Sequence, residues 1–180
     1  MKSLEIFKKA NGLVRSYNTR DPFVIAEGLK ILTIFEPDYR DLLGMYYVDG
    51  NNRFMFLNDN LEEEWYPLVV AHEIGHDRLH RQFAKKNGLR EFVLFNLKNN
   101  LEYEANVFAA HLLLDNDEVF DLAVQGYDLA EMAGLLHTHI NLLIIKLAEM
   151  ARLGYNLRVP CEPDGRFLRK CKGRDVTRCE

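Results

Sequence analysis

The 180-residue chain carries 23 Lys and Arg against 27 Asp and Glu, a formal net charge of -4, and 48% of its residues are hydrophobic. Such a balance describes one globular domain with enough apolar mass for a core, and argues against a disordered chain or a dedicated, basic nucleic-acid-binding protein. Charges interrupt the apolar residues from Met1 to Lys9 and no later run approaches membrane-spanning length, so a cytoplasmic protein with no membrane partner is expected.

In chain order, Leu4, Phe7, Ala10, Leu13 and Val14 recur at helical spacing and predict an amphipathic first helix from Ser3 to about Tyr17. Asp21 before Pro22 is an N-cap followed by a first-turn proline, and predicts a second helix ending between Gly28 and Ile31. The texture then becomes β-branched and aromatic at 31–35. Two further runs, 44–48 and 53–57, flank the turn Asp49-Gly50-Asn51-Asn52 and predict a β-hairpin. With the first run added, a small antiparallel three-stranded sheet is expected, the inward halves of Tyr46, Tyr47, Phe54 and Phe56 filling the core.

Residues 69–80, Val-Val-Ala-His-Glu-Ile-Gly-His-Asp-Arg-Leu-His, contain His-Glu-x-x-His. On a helix, positions four apart lie one above the other, so His72 and His76 can each direct an imidazole nitrogen at one zinc ion. Glu73 projects beside that site, where a carboxylate can take a proton from an activated water as general base. Ala71, Ile74 and Gly75 supply the apolar back against which such a helix packs. Residues 81–88 read as a helix end, and 91–95 as a short apolar segment of undefined type. Asn99 then opens a strong helix through Leu114. Catalytic zinc ordinarily takes a third protein ligand, and an acidic residue on this second helix can complete the set.

These two stretches, His72-Glu73-Ile74-Gly75-His76 and Glu102-Tyr103-Glu104-Ala105-Asn106 running on to Leu113, resemble the ImmA/IrrE family of zinc metallopeptidases, with a likeness spanning roughly residues 23–114. The resemblance implies an α+β, mostly helical zincin-like fold with Glu102 as third metal ligand. It implies also that Asn106, four residues on, is the partner that orients a histidine N–H. Glu104 is the alternative metal ligand. It stands roughly 200° round the helix from Glu102, so both cannot bind one ion, and Glu102 is preferred because its phase agrees with Asn106. His80, one turn beyond His76, is assigned a supporting or packing role, His111 is expected to face the helix pair, and Tyr103 is weighed as an oxyanion donor against core packing. In such a peptidase one strand of the sheet can pair with an extended peptide.

Residues 1–115 are thus expected to form the peptidase core, 116–157 a helical segment packed on it, and 158–180 a basic tail. Asp117 is expected to cap the helix after Asp115-Asn116. Residues 128–150 resemble a helix-turn-helix, but the start of the second helix offers only Thr138, His139 and Asn141 to a base edge, so packing or substrate docking is favoured over DNA contact. Cys161, Cys171 and Cys179 lack the close paired spacing of a zinc knuckle and are expected as thiols in a flexible extension. Members of the resembled family cleave repressor-type transcription factors, which implies a zinc-dependent endopeptidase acting on a regulatory protein. The alternative is a non-catalytic regulator that binds a repressor or DNA through the same fold.

Overall fold

The computed structural model describes residues 2–91, 99–158 and 177–178. Two helices, α1 (Ser3–Tyr17) and α2 (Pro22–Gly28), precede β1 (Leu32–Glu36), β2 (Gly44–Asp49) and β3 (Asn52–Asn58). A 3-10 turn at Glu63–Trp65 leads into α3 (Tyr66–Leu79), followed by α4 (Arg81–Asn87), β4 (Leu89–Glu91) and α5 (Asn100–Leu113). The chain closes with α6 (Asn116–Gln125), α7 (Leu129–Leu135), α8 (Ile140–Arg152), β5 (Leu157–Arg158) and β6 (Thr177–Arg178). The architecture is α+β and mostly helical. Asp21 caps α2 by accepting from Phe23 N, and Asn99 caps α5 by accepting from Leu101 N. The cap of α6 is Asp115, which accepts from Asp117 N and Glu118 N, so the helix starts two residues earlier than the sequence suggested. The sequence cue to Asp117 fails because the backbone is already extended at Leu114 and Asp115, leaving Asp115 at the half-in position.

The sheet departs from expectation. It has four strands in the order β1-β3-β2-β4, and β1 runs parallel to β3 while β2 is antiparallel to both β3 and β4. A parallel partner requires the chain to cross over rather than turn back. Residues 37–43 make that crossing, held by Asn58 Nδ2 donating to Leu42 O at 2.9 Å and Asn60 Nδ2 donating to Pro37 O at 3.0 Å. The fourth strand is three residues long, too short to show an alternating pattern. Of the four aromatics expected inside, only Tyr46 is buried; Tyr47, Phe54 and Phe56 stack half-buried on the sheet's other face, with ring centroids 6.4 and 6.2 Å apart.

Tyr46, Met55 and Leu57 point toward α3, whose Asp77 joins helix to sheet: the Tyr46 hydroxyl donates to it at 2.6 Å, and Arg53 of β3 and Arg81 of α4 donate to the same carboxylate. On its other side α3 packs against α5 at a distance set by Gly75. A Cβ there would stand 3.1 Å from both Cα and O of Ala105, so the two helices approach backbone to backbone.

Helix α5 is the centre of the helical layer, with α1 and α8 packed on it. Its terminal carbonyls, which lack partners within the helix, are bound by two cations. Arg20 donates to His111 O and Leu112 O and pairs with Asp115, while the fully buried Lys146 of α8 donates to Leu114 O at 2.7 Å and to Asn116 Oδ1. In the segment that resembles a helix-turn-helix, α8, where a recognition helix would lie, is buried from Leu142 to Leu147 in the core. Residues 157–158 pair antiparallel with 177–178, and the three cysteines lie outside the described residues. Among those residues no helix is long and apolar enough to cross a membrane.

Candidate metal centre

Helix α3 is regular from Tyr66 to Leu79, so His72 and His76 sit on one face, as their spacing requires, with Nε2 atoms 3.0 Å apart. Both rings are buried, and both are oriented from behind. His72 Nδ1 lies 3.0 Å from Asn106 Oδ1, an acceptor, so this nitrogen carries the proton and Nε2 presents its lone pair. His76 Nδ1 lies 3.0 Å from His80 Nδ1, and His80 Nε2 lies 2.9 Å from Glu104 Oε2. Since Glu104 accepts from His80 Nε2–H, the His80 Nδ1 accepts from His76 Nδ1–H, and His76 too turns an Nε2 lone pair forward. His80 reaches this position because it has left the helix, with φ -127° and ψ 15°.

The two lone pairs face carboxylates. Glu102 Oε2 of α5 lies 3.1 Å from His72 Nε2 and 3.4 Å from His76 Nε2, and Glu91 Oε2 of β4 lies 3.1 Å from His72 Nε2. One ligand atom from each of His72, His76, Glu91 and Glu102 falls within 4.8 Å of every other. Lone pairs set against carboxylate oxygens repel unless a proton or a cation lies among them. Zinc bonds of about 2.0–2.2 Å imply donor–donor edges of about 3.3–3.6 Å in a tetrahedron. The four edges of 3.0–3.4 Å among these nitrogens and oxygens lie close to that range, and imidazole with carboxylate is a donor set for a divalent ion.

Charge reinforces the point. Burial would lower His72, yet Glu102 and Glu91 outweigh it and hold the imidazole up at about 10. Burial carries Glu91 up to about 7 and Glu73 well above the usual carboxylate range, with Glu102 adding to both. Burial lowers His76 to about 4, against the pull of Glu102. Glu102 goes the other way: burial would raise it, but hydrogen bonds with His72 and His76 hold it ionised. The cluster keeps protons where a dication would otherwise balance its carboxylates.

Glu73 is fully buried, and neither of its carboxylate oxygens has a hydrogen-bond partner among the described residues. Its space is made by Gly44 of β2, where a Cβ would come within 2.7 Å of Glu73 Oε1. A buried carboxylate with both oxygens unpartnered is costly unless it serves a guest. Glu102 also lines a cleft bounded by Met45, Tyr47 and Phe56 of the sheet, Leu89 and Arg90 of β4, and Asn99.

The structure therefore brings together His72, His76 and Glu102, with Asn106 behind His72. It sets Glu104 outside the group, on His80. Tyr103 points away from the cluster, its hydroxyl donating to Glu149 Oε1 at 2.7 Å. His111 is buried in the helical layer with Lys146 Nζ 3.3 Å from its Nδ1. Glu91 was missed by sequence reasoning, and no spacing or periodicity points to it.

With this geometry in view, similarity to known proteins becomes informative. The family model for peptidase M78, described as the IrrE N-terminal-like domain, matches residues 26–150. An "Uncharacterized immunity region protein 2" of Bacillus phage phi105 is 33% identical over 102 residues, 57% of this chain and 63% of that protein, so the match spans less than two thirds of its length. "Metallopeptidase ImmA" of Bacillus subtilis (strain 168) is 26% identical over 151 residues, 79% of this chain and 83% of that protein.

Proposed function

Because the chain belongs to the peptidase M78 family of IrrE N-terminal-like domains, we propose that it is a zinc-dependent endopeptidase acting on a regulatory protein. The observation that carries this reading is the convergence of two imidazole lone pairs and the Glu102 carboxylate at metal-site spacing, beside a buried Glu73 whose oxygens have no hydrogen-bond partner among the described residues. In this reading His72, His76 and Glu102 hold the ion, and Asn106 and His80 keep the two imidazoles in the tautomer that binds it. The ion, when bound, supplies a Lewis acid that polarises the scissile carbonyl and acidifies water. Glu73 takes the proton of the attacking water and returns it to the leaving nitrogen. Its raised pKa, the result of burial, suits it to hold that proton between the two steps. The helical layer and sheet exclude bulk water from these transfers.

The substrate we propose is a repressor-type transcription factor, on the resemblance to the ImmA/IrrE family and on the similarity to a phage protein named for an immunity region. Elemental analysis of the purified chain should find near-stoichiometric zinc, lost in Glu102→Ala and retained in Glu73→Gln. Incubation with phage repressors, with fragments read by mass spectrometry, should show a discrete cut by the wild type and none by Glu73→Gln. Cleavage that persists in Glu73→Gln would sink the mechanism, and a folded wild type that binds no added zinc would sink the metal reading.

A further inference from the structure

We infer that Glu91 is a fourth protein ligand to the metal, and that β4 lies as an internal pseudo-substrate in the groove along β2 where an extended peptide binds. The inference rests on the metal reading above. Glu91 is only 3% exposed, and its Oε2 stands 3.1 Å from His72 Nε2, the same distance at which Glu102 stands. In the metal-free cluster His72 shares a proton with Glu91 through Nε2, but in the loaded site the one proton of that ring lies on Nδ1 toward Asn106, and Nε2 has none to give. What Nε2 and the Glu91 carboxylate share in the loaded site is a cation. Three ligands leave one open position for water in a catalytic zinc site, whereas four close it.

The register places the strand as well as the side chain. β4 pairs antiparallel with β2 at Gly44↔Glu91, Met45↔Arg90 and Tyr46↔Leu89, and Leu43 N donates to Glu91 O at 2.8 Å. Gly44 is the residue whose missing Cβ makes room for Glu73. The chain position opposite Gly44 is thus the one that meets the general base and the metal together. A peptide pairing with β2 in this register would bring its scissile carbonyl there, and Glu91 now occupies that position. Main-chain pairing is indifferent to side chains, so a substrate strand can replace β4 bond for bond. The ladder is three residues long, entered through Gly88 at φ +66°, and few bonds need to be exchanged. β4 also forms part of the cleft between the sheet face at Met45, Tyr47 and Phe56 and the α5 side at Asn99 and Glu102.

The test compares wild type, Glu91→Gln and Glu91→Asp as full chains, the aspartate keeping the charge but falling one methylene short. Circular dichroism establishes that each variant folds. Cobalt(II) replaces zinc, and its visible spectrum is recorded with and without acetohydroxamate, a chelator that enters only an open coordination position. The wild-type spectrum should be insensitive to acetohydroxamate at concentrations that shift both variants. Zinc affinity, by competition with a chromophoric chelator, should fall at least the roughly tenfold that loss of a mere orienting partner costs. Hydrolysis of an unstructured peptide should rise in the variants. A wild-type cobalt spectrum as responsive as the variants', with equal affinities, overturns the inference while leaving the metal reading intact. A wild type that binds neither zinc nor cobalt overturns both.

Discussion

His80 Nε2 lies 2.9 Å from Glu104 Oε2, and the other nitrogen of the same ring lies 3.0 Å from His76 Nδ1. The two candidate ligand histidines are therefore backed differently: His72 by a neutral amide, His76 by an imidazole that itself rests on a carboxylate. A carboxylate behind an imidazole raises the basicity of the nitrogen it cannot touch. Glu104→Ala should weaken zinc binding by about 10- to 100-fold with the fold retained, whereas Glu102→Ala should abolish stoichiometric binding. Chelator competition on the two variants distinguishes them, and the reverse order would make Glu104 the ligand.

Gly44→Ala tests the space kept for the general base. The new methyl would lie 2.7 Å from Glu73 Oε1 and 2.8 Å from Val69 Cγ1, so the carboxylate must move. Overpacking of this kind costs about 1–3 kcal/mol of stability, and misplacing a reacting group by about 1 Å can cost on the order of 100-fold in rate. We expect a folded, zinc-replete variant with turnover reduced on that scale. Unchanged turnover would show that Glu73 does not need its present position.

Gly75→Ala sets two effects against each other. Alanine is favoured in a helix by about 1 kcal/mol, but its Cβ would meet the Ala105 backbone at 3.1 Å and Phe108 Cβ at 3.3 Å. Backbone cannot rotate away, so α5 must shift by a few tenths of an ångström, and strain of about 1–3 kcal/mol should win. Urea denaturation should show net destabilisation, and zinc affinity should fall because Glu102 rides on α5. A more stable variant would mean that the helix interface has slack.

His111 gives a pH dependence whose sign is fixed. Burial lowers it to about 3, with Lys146 and Arg20 adding to the effect, against an ordinary 6.5. Between those values the unfolded chain binds a proton that the folded chain refuses. Stability therefore falls as pH drops from 6.5 toward 3, by up to ~1.4 kcal/mol per pH unit from this one group. In His111→Gln, whose amide oxygen can still accept from Lys146, that slope should vanish. Denaturation of both proteins in chelator at pH 8, 6.5 and 5 checks it: the wild type should lose its advantage as the pH falls. A pH-independent difference would count against a neutral, buried His111.

Much of the site was legible because its geometry is local. One helical turn sets His72, Glu73 and His76 relative to one another wherever the helix lies, and the same spacing of four put Glu102 and Asn106 on one face of α5. The hairpin β2–β3 was legible for a similar reason, since Asp49-Gly50 closes it within a few residues. The partner and sense of β1 were not, because they depend on how residues 37–43 cross the sheet. Glu104 shows the boundary well. The spacing on α5 put it out of phase with Glu102, but its contact with His80 arises only once α3 and α5 meet at Gly75.

By itself the sequence determined the two helices that carry His72, Glu73, His76 and Glu102, because helical periodicity and capping are decided within a few residues, but not the strand β4 that carries Glu91. The tertiary structure alone decided which of those elements meet. It brought Glu91 from a three-residue strand to His72, set Gly44 under Glu73, and sent Arg20 and Lys146 to the end of α5. Each is a single residue distant in sequence from its partner, and a single residue has no period. Only close packing of the folded chain gives it a place.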